Sequence, residues 1–173
     1  MILEHHKKSP LLDSPAYIAP NATLIGEITA GEGCSFWFNS VVRADVHWIK
    51  IGERTNVQDL SMLHVSYKKA PLTIGNDVTI GHACVLHGCT LHDRILVGMG
   101  SIIMDNAVIE SDVIIGAGSL VTEGTVIPAG SLALGRPAKV IRPLSDEEKA
   151  YVKRSSFHYL QVAASYKGGP WPY

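Results

Sequence analysis

A period of six residues constrains the fold of this 173-residue chain more than any other feature of its sequence. An aliphatic residue recurs at every sixth position over residues 97–127, and a small or β-branched residue follows each one four places later. Six residues are too few for a helix and its return, but they fit one short strand and a corner, so three units close one triangular coil. The aliphatic column is Val97, Ile103, Ile109, Ile115, Val121 and Ile127, and the small column is Ser101, Ala107, Val113, Ser119, Thr125 and Ser131.

The same period appears upstream in two blocks, residues 51–63 and 74–86. After each block the register slips, because the next aliphatic residue follows after eleven positions instead of six. Strand alternation directs each aliphatic residue, and the small residue two places before it, into the prism, which predicts the core. The first slip contains the polar segment 66–71, which predicts a loop that leaves the prism.

A different element is predicted after the repeat ends near Gly135. Ser145, with Glu148 three residues later, forms a capping-box pattern that predicts a helix continuing to about Tyr166, followed by an irregular tail. We therefore predict a parallel β-helix domain at residues 1–144 and a C-terminal helix and tail at residues 145–173 that pack on it.

The position before each core aliphatic residue is also apolar, which predicts an exposed apolar row on every face of the prism. Soluble monomers rarely leave such patches open, and one terminal helix cannot cover three faces. A homo-oligomer follows, most simply a cyclic trimer. The rows consist of Ile102, Val108, Ile114, Leu120, Val126 and Leu132.

Composition excludes several classes of partner. The formal net charge of −1 provides no basic field, so we expect no nucleic-acid partner. No segment has the apolar length of a secretory signal or a membrane span, so we expect a cytoplasmic protein without a membrane partner. The three cysteines match neither a disulfide framework nor a zinc-ribbon spacing, which favours small, reduced side chains.

Three of the eight histidines stand apart from the others. His64, His82 and His87 all follow core aliphatic positions closely, and the register keeps each of them out of the prism. Any one alone is best interpreted as a solvated corner residue. Together, three imidazoles with nearby polar groups indicate a metal site with an open position for water, and such a metal generates hydroxide near neutral pH.

These histidines belong to a larger set of motifs that resembles the gamma-class carbonic anhydrase family over nearly the whole chain. The resemblance implies a left-handed β-helix and a homotrimer with a zinc, iron or cobalt ion at each subunit interface. His64 and His87 would come from one chain and His82 from its neighbour. The motifs are Arg43 and Asp45; Asn56, Gln58 and Asp59; His64; Gly81 and His82; His87, Gly88, Cys89 and Thr90; and residues 135–145.

The resemblance also implies roles for residues beyond the ligands. Gln58 would hydrogen-bond the metal-bound hydroxide, and Asn56 and Asp59 would line the substrate pocket. Arg43 and Asp45 would form an interfacial ion pair, for which a purely structural role is the favoured interpretation. Tyr159, on the terminal helix, would approach the site.

Two departures from the family pattern affect proton transfer. Val46 follows Asp45 where the family has a glutamate, and the loop after His64 offers Tyr67, Lys68 and Lys69 but no carboxylate. Hydration of carbon dioxide releases a proton at each turnover, so His47 or buffer would have to carry it. The leading hypothesis is a metalloenzyme that hydrates this small-molecule substrate. The alternatives are an acyl-thioester hydrolase, a non-catalytic metal-binding or assembly protein and, less favoured, a hexapeptide acyltransferase.

Overall fold

The computed structural model describes residues 1–172, and most of them form short parallel strands on the faces of a three-sided prism. Successive coils stack with an advance of about eighteen residues, as in the pairing of Ile95 with Val113. The predicted parallel β-helix of hexapeptide repeats, followed by a C-terminal helix, is therefore confirmed.

The first face is a sheet of its own, and the other two share a sheet because two long strands turn a corner between them. The long strands, Thr23–Ala30 and Val41–Ile51, pair with each other on both sides of a register shift after Gly26. The parallel strands of the first face are Tyr17–Ile18, Ser35–Phe36, Asn56–Val57, Thr79–Ile80, Ile95–Val97, Val113–Ile115 and Ser131–Gly135. Those of the second are Ile2–Leu3, Met62–His64, Val85–His87, Ile102–Ile103 and Leu120–Val121. Those of the third are Leu11–Leu12, Leu72–Ile74, Thr90–Leu91, Val108–Ile109 and Val126–Ile127.

The core is the inward column predicted from the period. All six aliphatic residues from Val97 to Ile127 are at most 2% exposed. In the small column, the hydroxyl groups of Ser101 and Ser119 donate to the carbonyl groups of Gly98 and Gly116, which satisfies them inside the prism. Large and small side chains therefore interlock between coils without an unpaired hydroxyl group at these positions.

The two register slips have different structures. The first is a loop, as predicted, in which Ser66 bridges to Ala70 and Tyr67 is exposed. The second is a unit shortened to five residues, because Leu91 takes the core position after Leu86. Cys89 lies two places before Leu91 and is buried with it, and this burial raises the pKa of its thiol.

The outward apolar rows are less exposed than predicted. Only Val126 is exposed, at 58%, and the other members of the rows are half-buried. Stacked strands lie about 4.8 Å apart, so the side chains of one row shield each other. The rows remain apolar, but the surface that each offers to another chain is narrower than the sequence suggested.

The repeat ends with a hairpin that was not predicted. After Ser131–Gly135 and a cis Arg136–Pro137 bond, the strand Ala138–Pro143 returns antiparallel and becomes the last strand of the first face. The helix Asp146–Tyr166 follows and packs on the first face against Thr79–Ile80 and Ile95–Val97.

The helix begins at Ser145 with the predicted capping box, in which the Glu148 amide donates to the Ser145 hydroxyl and the Ser145 amide donates to the Glu148 carboxylate. The division into residues 1–144 and 145–173 stays a prediction, and its last residue, Tyr173, lies outside the described residues. Over residues 1–172, no helix has both the length and the apolar character that crossing a membrane requires.

Removing the helix cap should destabilise the protein measurably. We expect Ser145→Ala to lower the free energy of unfolding by about 1 kcal/mol, because the Glu148 amide loses its acceptor. Urea denaturation measures this change. The control is Ser165→Ala, which removes a hydroxyl group bonded to the Val162 carbonyl at the other end of the same helix. Equal stability of the two variants would contradict a role for the cap.

Candidate metal centre

Two of the three candidate histidines lie side by side on the second face. The strands Met62–His64 and Val85–His87 are adjacent and parallel, and His64 is the register partner of His87. Because side chains in register project from the same side of a sheet, the two imidazoles meet outside the prism. His64 Nδ1 lies 2.9 Å from His87 Nε2.

The outer nitrogen of each imidazole contacts a carboxylate. His64 Nε2 lies 3.1 Å from Asp45 Oδ1, and His87 Nδ1 lies 2.5 Å from Asp105 Oδ1. Asp45 also forms an ion pair with Arg43. The pair of histidines is thus enclosed between two acidic groups, one from the coil before His64 and one from the coil after His87.

The charge states follow from these contacts. Burial alone would raise the pKa of Asp45, but the hydrogen bond from His64 and the interactions with Arg43 outweigh it, so this pKa lies below its ordinary value. For Asp105 the effect of burial is likewise outweighed, by hydrogen bonds from His87 and Ser66, and its pKa is also lowered. Burial lowers the pKa of His64, and Asp45 opposes this only in part. Near neutral pH we therefore expect two carboxylates and a neutral His64.

This arrangement leaves two lone pairs facing each other. An ionised carboxylate only accepts hydrogen bonds, so each outer imidazole nitrogen must be the N–H donor. When both imidazoles are neutral, the inner nitrogens, His64 Nδ1 and His87 Nε2, present lone pairs to each other across the 2.9 Å gap. Two imidazoles bound to one tetrahedral ion at ~2.0–2.1 Å hold their nitrogens about 3.3 Å apart, so the pair fits a shared divalent cation after a small adjustment.

The third histidine lies at another corner. His82 precedes the strand Val85–His87 and His87 ends it, so this strand separates the two imidazoles by more than about 10 Å. A Cβ at Gly81 would lie 2.8 Å from the backbone of the next coil, so the corner packs directly on that coil. His82 Nδ1 lies 2.8 Å from Asp59 Oδ2. Within residues 1–172, no three acidic, histidine or cysteine side chains of one chain converge on a point that could hold a metal ion.

A cleft of about 280 Å³ opens beside His82, between its corner and the C-terminal helix. Gln58 and Tyr159 line it, and the ring of Tyr159 packs edge-on against Trp37 with centroids 5.6 Å apart. His82, Gln58 and Tyr159 therefore surround one space that His64 and His87 do not reach.

A chain of hydrogen bonds fixes the orientation of the Gln58 amide. Gln58 Nε2 donates to Asn56 Oδ1 at 3.1 Å, and Asn56 Nδ2 donates to Thr79 Oγ1 at 3.0 Å. The Thr79 hydroxyl lies 3.1 Å from that of Ser155 on the helix. With one N–H of its amide engaged in this chain, Gln58 has its carbonyl oxygen available as an acceptor at the cleft that it lines.

The candidate residues thus fall into two half-sites. The first half-site consists of Arg43, Asp45, His64 and His87, and the second consists of Asn56, Gln58, Asp59, His82 and Tyr159. Asn56 is only 1% exposed, so it supports Gln58 from below rather than lining the cleft as expected.

Four residues that contact the half-sites were not indicated by the sequence motifs: Asp105, Ser66, Thr79 and Ser155. Asp105 could have been found, because it lies eighteen residues after His87, which is one coil further on. The Ser155 contact depends on how the helix docks, for which the repeat pattern carries no signal.

Fold and half-sites together define a hexapeptide-repeat β-helix with an imidazole pair at one corner and a third imidazole at the next. The chain is 42% identical to "Gamma carbonic anhydrase 1, mitochondrial" of Arabidopsis thaliana over 164 residues, or 92% of this chain and 60% of that one. It is 45% identical to a "Carbonic anhydrase" of Geobacillus kaustophilus over 167 residues, or 96% and 91% of the two chains. It belongs to the gamma-class carbonic anhydrase family.

A solved structure, titled as a hexapeptide transferase family protein from Anaplasma phagocytophilum, is 41% identical with a TM-score of 0.91. The alignment covers 96% of this chain and 98% of that one. No protein-family model matches the chain. The chain spans about 60% of the length of the Arabidopsis relatives that it matches.

Proposed function

We propose that this protein is a metal-dependent carbonic anhydrase that hydrates carbon dioxide reversibly to bicarbonate. The observation that carries the proposal is the pair of imidazoles, His64 and His87, whose inner nitrogens face each other while carboxylates engage the outer ones. Relatives named carbonic anhydrase, 42–45% identical over most of this chain, support the same activity.

The proposed assembly is a homotrimer in which each metal ion lies between two chains. His64 and His87 of one chain and His82 of its neighbour would supply three ligands. The separation of the two half-sites within one chain supports this arrangement, because neither half offers three ligands alone. The apolar outward rows support association, since contact between chains would cover them.

We further propose zinc as the metal, with iron or cobalt as alternatives, because three imidazoles and one open position suit these ions. A divalent ion in such a site lowers the pKa of a bound water and supplies a nucleophile near neutral pH. The cytoplasmic location expected from the sequence stays a prediction.

The protein side chains would orient the reactants. The Gln58 carbonyl oxygen would accept a hydrogen bond from the attacking water, and Asn56 would hold the Gln58 amide in that orientation. Asp59 would fix the ring of His82, and the ion pair of Arg43 with Asp45 would fix the ring of His64. Tyr159 would form the wall of the substrate cleft beside the helix.

Metal content and hydration rate test this proposal together. We expect purified protein to contain about one divalent ion per chain and to accelerate carbon dioxide hydration in stopped-flow assays. His87→Ala should lose both properties, whereas the control His92→Ala, at an exposed histidine outside the half-sites, should keep them. Metal-loaded protein without hydration activity would contradict the proposed reaction, and equal metal in the two variants would contradict the site.

A transferase or thioester hydrolase is the second candidate, because the relative from Anaplasma phagocytophilum is titled as a hexapeptide transferase. The same preparations should therefore be assayed with acetyl-coenzyme A, both alone and with amine or alcohol acceptors. Metal-dependent consumption of the thioester without hydration of carbon dioxide would favour this candidate.

A further inference from the structure

Asp105 contacts His87 of the first half-site, but neither the motifs nor the family resemblance indicated this carboxylate. It follows the strand Ile102–Ile103 and is half-buried, with 23% of its side chain exposed. Its Oδ1 lies 2.5 Å from His87 Nδ1, and its Oδ2 accepts a hydrogen bond of 2.5 Å from the Ser66 hydroxyl. The two oxygens thus connect two elements, the end of the strand that carries His87 and the loop that follows His64.

Gly88 provides the space for this carboxylate. A Cβ at Gly88 would lie 2.5 Å from Asp105 Oδ1 and 2.6 Å from the Ala70 side chain, so no other residue fits without displacing one of them. Gly88 also has a φ of +52°, which disfavours side chains. The amide of Asn106 donates to the Gly88 carbonyl at 2.8 Å, which fixes the backbone on both sides of the contact.

The loop 66–70 holds the second oxygen in place. The Ser66 amide donates to the Ala70 carbonyl at 3.0 Å, so the base of the loop is closed and the Ser66 hydroxyl is directed at Asp105. The Asp45 carboxylate interacts with both His64 and the charged group of Arg43. Within residues 1–172, the hydrogen bonds observed for the Asp105 side chain come only from His87 and the neutral Ser66 hydroxyl.

From this geometry we infer that Asp105 is a positioning residue that fixes the ring orientation and tautomer of His87. By accepting the proton of Nδ1 it directs the Nε2 lone pair at the gap shared with His64. Outer carboxylates of this kind orient metal-binding imidazoles and increase their basicity. The inference rests on the proposed function for its purpose, but the tautomer itself can be observed without metal.

The first experiment measures that tautomer in the metal-free full-length protein. Long-range ¹H–¹⁵N spectra of the His87 ring should show the proton on Nδ1 in the wild type. In Asp105→Ala the form protonated on Nε2 should become populated, and Asp105→Asn should retain the wild-type form because its amide oxygen still accepts. An unchanged His87 spectrum in a folded Asp105→Ala protein would overturn the inference.

The second experiment measures affinity for Zn²⁺ by competition with a chelator. Asp105→Ala should bind Zn²⁺ about 10–100-fold more weakly than the wild type, and Asp105→Asn should recover most of this loss. The control Asp112→Asn removes a carboxylate that pairs with Arg94 at 2.7 Å, on a corner without a candidate histidine, and its affinity should not change.

The two experiments separate the inference from the proposed function. If the wild-type protein bound no Zn²⁺, the proposed metal site would be wrong. The tautomer of His87 would still show whether Asp105 orients this ring. Zn²⁺ binding equal in the wild type and Asp105→Ala would overturn the inference and leave the metal site intact. Circular dichroism of each variant identifies a loss of fold. If Asp105→Ala does not fold, the wild-type spectrum decides, because a His87 proton on Nε2 instead of Nδ1 would overturn the inference.

Discussion

Chains carrying His64→Ala and chains carrying His82→Ala, unfolded and refolded together, are expected to recover about one quarter of the wild-type metal content. Neither variant should bind metal when refolded alone. In a random mixture, a given interface combines intact His64 and His87 from one chain with intact His82 from the other in about one case in four. Metal analysis and carbon dioxide hydration of the refolded mixture measure the recovery.

The position of His87 supplies a matched control. His64 and His87 are register partners on one chain, so a mixture of His64→Ala and His87→Ala chains has no interface with a complete pair. This mixture should recover nothing. Recovery in both mixtures, or in neither, would contradict ligands shared between two chains.

Gln58→Leu is expected to lower the hydration rate by about 10–100-fold and to leave the metal content unchanged, the scale of an outer contact to a metal site. Leucine is similar in size but lacks the carbonyl oxygen that Gln58 offers in the cleft. The rate is measured by stopped flow at equal metal loading. The control Gln161→Leu removes an exposed amide from the helix surface and should not change the rate.

One side effect of this substitution must be measured separately. Asn56 Oδ1 accepts its hydrogen bond from Gln58, and leaving a buried acceptor without a donor costs about 1–3 kcal/mol of stability. Denaturation of Gln58→Leu therefore accompanies the kinetics. A fully folded, metal-loaded variant with the wild-type rate would exclude Gln58 from the reaction.

Much of the prism could be predicted because the sequence of each six-residue repeat indicates which of its side chains are buried. Residues such as Ile103 and Ile109 face the core for a local reason, the alternation of strand side chains, and the capping box at Ser145 is equally local. The return strand Ala138–Pro143 was missed because it pairs antiparallel and lacks the six-residue period.

The candidate site was less accessible to sequence reasoning. His64 and His87 are 23 residues apart, so they become register partners only when the residues of the loop that leaves the prism after His64 are discounted. The hydrogen bond from Gln58 to Asn56 was not indicated by the sequence, since the burial of Asn56 depends on its contact with Thr79 in the next coil. The contact of Ser155 with Thr79 joins segments far apart in sequence, and docking of the helix alone determines it.

The strand Val85–His87 separates His82 from His87. In the proposed trimer, this separation determines whether metal binding stabilises the folding of one chain or the association of two. In a small zinc domain, all ligands belong to one chain, so the metal stabilises folding itself. Here the buried columns of the prism already hold each chain together, and the ion would link two folded chains. Its binding energy would therefore strengthen association, so that a chelator dissociates subunits that remain folded.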